Sequence, residues 1–137
     1  MAEGALRAAA ENAGLDIVVD SVGTASYHVG EAPDPRAIAT ARRHGIDISG
    51  ALGRQLSEAD FARFTHIFAM DKANMAGIKA RAPRNPDATI ALLLDLVEGR
   101  EGEPVADPYY GDEYNFEQCW QTIQIGIAAL IEELQRR

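Results

Sequence analysis

The chain has 137 residues, 47% of them hydrophobic, enough for one compact domain and too few for two of ordinary size. Its 21 acidic against 13 basic residues give a formal net charge of −8, which argues against nucleic acid or an anionic membrane surface as a partner. A single cysteine excludes an internal disulfide framework, and His28, His44 and His66 have no ligand-like spacing, so neither a metal nor another cofactor is expected.

Along the chain, Leu6, Ala9, Ala10 and Ala13 fall at helical spacing and predict a first helix over Ala2 to Ala13, stopped by Gly14. Ile17-Val18-Val19 is a β-branched run expected to form a strand buried on both faces of a parallel sheet. After a long loop, Asp34 is placed to cap a helix with Pro35 at its first position, continuing to His44 before Gly45. Ser57 is placed to cap a short helix from Glu58 to Phe64. His66 to Met70 then predicts a strand, Asp71 caps a helix running to about Ala80, and Thr89 to Leu94 predicts a further strand. From Glu113 to Arg137 the apolar positions Phe116, Trp120, Ile123, Ile127, Leu130 and Leu134 are spaced four, three, four, three and four apart, one face of a long helix. Helices alternating with short apolar strands predict a small three-layer α/β domain with a mainly parallel sheet. No apolar run approaches a membrane span and no basic segment leads into an apolar one, so a cytoplasmic location is expected.

Asp107-Pro108-Tyr109-Tyr110-Gly111-Asp112 sets an acid on a proline-stiffened loop, followed by two aromatic rings and a turn glycine. Such an acid suits general-acid chemistry, and the rings of Tyr109 and Tyr110 suit the wall of a pocket for a flat substrate. The same residues also suit a plain turn carrying surface tyrosines. Cys119 lies in the long helix one position before Trp120, with no arginine or glycine-rich loop beside it, and reads as a half-buried helix residue rather than a nucleophile. Asp71 reads as a helix cap, and Arg36 as a structural residue paired with a nearby acid.

Five segments fall in a telling order. Met1-Ala2-Glu3-Gly4-Ala5-Leu6 opens a helix, Asp20-Ser21-Val22-Gly23-Thr24 follows a strand, and Val29-Gly30-Glu31-Ala32-Pro33-Asp34-Pro35-Arg36 leads into the next helix. Ala69-Met70-Asp71 follows another strand, and the Asp107 loop completes the set. Together they resemble the low-molecular-weight protein tyrosine phosphatases over essentially the whole chain. The resemblance implies a phosphotyrosine phosphatase I-like fold and a phosphotyrosine protein as substrate or ligand. It also implies Asp107 as general acid and Tyr27, Tyr109 and Tyr110 as the substrate-binding aromatics, Tyr27 and Tyr109 flanking an aryl phosphate. Tyr27 and Tyr109 also fit as ordinary loop tyrosines.

One departure stands out. The family's nucleophile sits in a Cys-x5-Arg-Ser/Thr loop directly before the helix that begins Met-Ala-Glu, where this chain starts, and Cys119 has Ile125 in place of an arginine six positions on. The expectation is a scaffold lacking its first, central strand and its phosphate-binding loop, and inactive as given. It would be an enzyme whose sequence begins too late or, alternatively, a non-catalytic binding or regulatory module. An arsenate reductase would need a relay of several cysteines. Losing about four buried apolar side chains forfeits on the order of 6–12 kcal/mol, comparable with a domain's whole stability of about 5–15 kcal/mol. The sheet is therefore expected to rearrange or to be covered by a second chain, as in a homodimer.

Overall fold

The computed structural model describes residues 1–23 and 30–136. Among these, five α-helices and two strands are ordered α1 (Ala2–Asn12), α2 (Pro35–Arg43), α3 (Asp60–Arg63), β1 (His66–Ala69), α4 (Lys72–Arg81), β2 (Thr89–Leu92) and α5 (Glu113–Gln135). A 3-10 turn, Leu93–Leu96, follows β2 directly. The strands pair in parallel, with Ile67 opposite Ile90 and Ala69 opposite Leu92.

The alternation along β1 builds a small α/β domain of three layers. Ile67 and Ala69 face a cluster with Leu56, Phe61, Ile78 and Leu92, contributed largely by α3, α4 and β2. Phe68 and Met70 point the other way, into the larger cluster around Trp120, Ile123 and Ile127 of α5. Helix α5 also packs on α1 and α2, which places the apolar stripe read from its spacing at the centre of that layer. Beside the stripe Gly126 is also buried, where Leu93 comes so close that a Cβ would lie 2.6 Å from its Cγ.

The caps follow the sequence at two helices. Asp34 accepts the backbone N–H of Arg36 at 2.8 Å, and Asp71 accepts that of Asn74 at 2.7 Å.

Three expectations are corrected. Ile17–Val19 joins no strand ladder: exposure alternates along it and Val18 is 73% exposed, so it is not buried on both faces. That stretch is held from α1, where Glu3 accepts the Ser21 hydroxyl at 2.6 Å and Arg7 donates to the Val19 carbonyl at 2.8 Å, and from residues 54–56, by Arg54 on Asp20 at 3.1 Å and a bridge between Gly23 and Gln55. β2 stops at Leu92 rather than Leu94, because the Asp95 carboxylate accepts the Leu92 N–H at 3.0 Å and turns the chain. Ser57 does not cap a helix from Glu58. Its N–H and hydroxyl instead donate to Asp60, at 2.8 and 3.2 Å, and the α-helix spans Asp60–Arg63.

Asp60 is 4% exposed and also receives both terminal nitrogens of Arg54 at 3.0 Å. Burial alone would raise its carboxyl, but the Arg54 and Ser57 hydrogen bonds outweigh it and hold the group below the usual aspartate range. A carboxylate whose folded value is depressed contributes stability above its unfolded value, and that contribution is lost as pH falls through the folded value. Asp60→Asn is therefore expected to cost about 1–3 kcal/mol at pH 7. The cost should shrink as the pH is lowered below about 4, as checked by urea titrations across that range.

Candidate active site

Between residues 17–22 and β1 runs a cleft of about 550 Å³. It is lined by Ile17 and Val19, by Ile67 and Phe68 of β1, and by Ile123 and Ile127 of α5. Among the described residues β1 has β2 as its ladder partner, so its other edge faces this cleft.

Met1, Cys119, Asp107 and Pro108 all line the cleft. The Cys119 thiol is pushed up by burial, is drawn down by the Met1 ammonium and is raised further by the Asp107 carboxylate, so these groups lie within electrostatic reach of one another. The Met1 ammonium is itself pushed down by burial. Asp107 thus shares its surroundings with the N-terminal end of α1, where a helix leaves its first N–H groups outside its own ladder. Cys119 is a buried helix residue with a suppressed thiolate, as its sequence setting suggested.

The acid loop is a compact turn. Asp107 Oδ1 accepts the Tyr109 N–H at 3.0 Å, and Gly111 N–H donates to the Pro108 carbonyl at 2.7 Å. Asp112 then starts α5, exchanging hydrogen bonds with Asn115 at 3.0 and 3.2 Å. The Tyr109 and Tyr110 rings stand edge to face with centroids 5.0 Å apart, and both are exposed. The structure therefore places Asp107 at the lining of the cleft, with Tyr109 and Tyr110 next along the same turn and facing solvent. Tyr27, the remaining predicted aromatic, lies outside the described residues. Asp71 caps α4, as expected, and also lines the cleft.

Sequence reasoning underrated Arg36. It pairs with Asp34 as expected, but it also reaches the Tyr109 and Gly111 carbonyls at 2.8 and 2.9 Å, contacts more than 70 residues away that no local motif announces. Among the described residues no three His, Cys, Asp or Glu side chains gather in a way that could hold a metal ion, and no helix is long and apolar enough to cross a membrane.

Comparison with known proteins bears on this arrangement. The family model described as low molecular weight phosphotyrosine protein phosphatase matches residues 1–137. The chain is 37% identical to the Bacillus subtilis low molecular weight protein-tyrosine-phosphatase YfkJ, over 99% of this chain and 87% of that one. It is also 37% identical to the low molecular weight phosphotyrosine protein phosphatase of Schizosaccharomyces pombe, over 88% of this chain and 78% of that one. A crystal structure of a protein tyrosine phosphatase from Entamoeba histolytica, with Hepes in its active site, superposes with a TM-score of 0.91 at 29% identity. That match covers 98% of this chain and 87% of the other.

Proposed function

Since the chain belongs to the low molecular weight phosphotyrosine protein phosphatase family, we propose that these 137 residues supply the acid and aryl-binding side of a phosphotyrosine phosphatase site. The observation that carries this reading is that Asp107 and the N-terminal end of α1 both line the same cleft, each within electrostatic reach of Cys119. Where a thiolate forms a bond to phosphorus and the phosphorus–oxygen bond breaks, protonated Asp107 would give its proton to the departing phenolate oxygen. Tyr109 and Tyr110 pack against the aryl ring, and the positive end of α1 favours the phosphoryl oxygens.

The attacking thiolate that the family resemblance calls for has no counterpart in this sequence. Cys119 lacks the arginine six positions on, and its thiol is suppressed. A general acid alone supplies about 10²–10⁴-fold, so these 137 residues by themselves are not expected to turn over. Para-nitrophenyl phosphate hydrolysis is the test. Turnover is expected from a version with a strand and Cys-x5-Arg segment joined before Met1, and none from the 137-residue chain. Hydrolysis by the short chain that disappears on changing Cys119 would overturn this reading.

The exposed tyrosine pair favours a second reading, a binding module that holds a phosphotyrosine protein without hydrolysing it. Calorimetry with a phosphotyrosine peptide separates the two, since binding by the short chain supports the module and its absence removes it. The apolar cleft beside β1 supports a homodimer in which a second copy covers the exposed edge. Light scattering after size exclusion is expected to give twice the chain mass, and a monomer at every concentration would rule the dimer out. A cytoplasmic location goes with the same reading and is checked by cell fractionation.

A further inference from the structure

The loop that bears Asp107 has little of its own to hold it in place. Asp107, Tyr109, Tyr110 and Asp112 are all exposed, and the bonds inside the loop span no more than a few residues. Among the described residues, the hydrogen bonds tying 107–112 to a distant part of the chain come from one side chain, Arg36.

That guanidinium is fixed on several sides. Asp34 Oδ1 accepts its Nε at 3.1 Å and Oδ2 accepts Nη2 at 2.8 Å, a two-point pairing that sets the plane of the group. The Arg36 hydrogen bonds hold the Asp34 carboxyl below the usual aspartate range, so the pairing persists at neutral pH. The Phe116 ring lies 4.7 Å from the guanidinium carbon and the Tyr109 ring 5.7 Å. Phe116 is buried, and α2 itself is seated in the core through Ala37, Thr40 and Ala41. With its plane set, Nη1 meets the Gly111 carbonyl and Nη2 the Tyr109 carbonyl, bracketing the fully exposed Tyr110.

We infer that Arg36 is the positioning residue of the acid loop, a strut from the start of α2 that holds the Asp107–Gly111 turn in register with the cleft. Its importance to catalysis rests on the reading of Asp107 as the acid; its effect on the loop does not. A lysine cannot replace it, because one ammonium cannot meet Asp34 and two carbonyls in a single plane.

The test is amide hydrogen exchange in the 137-residue chain, read at Tyr109 and Gly111. Arg36→Ala should speed exchange at both about tenfold, with the interior amides of α5 unchanged, and Arg36→Lys should resemble Arg36→Ala. Arg42→Ala, on the same helix, should leave both rates at the wild-type value. Wild-type rates at Tyr109 and Gly111 in Arg36→Ala, or full rescue by lysine, would overturn the proposal. Should Arg36→Ala fail to fold, Arg36→Lys carries the test, and wild-type rates there overturn it equally. Asp107→Asn keeps the acceptor for the Tyr109 N–H and should leave both rates alone, so a failure of the acid assignment and a failure of the strut are read separately.

Discussion

Asp107→Asn, made in a chain carrying a strand and Cys-x5-Arg segment ahead of Met1, is expected to lower turnover of an aryl phosphate about 10²–10⁴-fold. The substitution keeps an oxygen to accept the Tyr109 N–H, now at 3.0 Å, so the loop should keep its shape while losing its transferable proton. The loss should depend on the leaving group. A tyrosyl phenolate, whose conjugate acid has a pKa of about 10, needs the proton far more than para-nitrophenolate does. Comparing phosphotyrosine with para-nitrophenyl phosphate therefore distinguishes an acid from a residue that merely shapes the site. An equal loss with both substrates would remove Asp107 from the acid's role.

The second large effect concerns the core. Trp120 is 1% exposed and lies within the cluster formed by α5, α1 and α2, its ring stacked on His44 at 4.9 Å. His44 is in turn held by Glu117, one turn earlier on α5, at 2.7 Å. Trp120→Ala removes the largest of the fully buried side chains and should cost about 3–5 kcal/mol. Against a domain stability of about 5–15 kcal/mol, that leaves the protein near its unfolding threshold at ordinary temperature. Urea unfolding followed by far-ultraviolet circular dichroism checks it, since Trp120 is the sole tryptophan and its fluorescence is lost with it. A midpoint within experimental error of the wild type would mean that the layer around α5 is not the main core.

What could be read beforehand was whatever is written locally. Asp34 and Asp71 cap their helices because a carboxylate beside a helix start is itself the cause of the cap, and the stripe on α5 is visible because burial repeats with the helix. The Asp107 loop and its two rings were legible for the same reason, as a proline, an acid and a turn glycine in one run. Ile17–Val19 was not, because a β-branched run records only a preference for strand; a ladder needs a neighbouring edge, and here a cleft lies alongside. Asp60 was missed because Ser57 looks like a cap from sequence, whereas Arg54 fixes the carboxylate and the serine donates to it. Arg36 escaped because its partners are carbonyls, which carry no side-chain identity for a sequence to reveal.

The alternation of β1 has a consequence for error in folding. Two strands of four residues each form a ladder so short that its hydrogen bonds discriminate weakly between alignments. A slip of one position would send Phe68 and Met70 into the space now filled by Ile67 and Ala69, and the reverse, so a mistake overfills one layer while hollowing the other. The two layers thus act as independent checks on one alignment. The correct pairing is selected by side-chain volume on both sides at once, and a half-right sheet has no favourable place to rest.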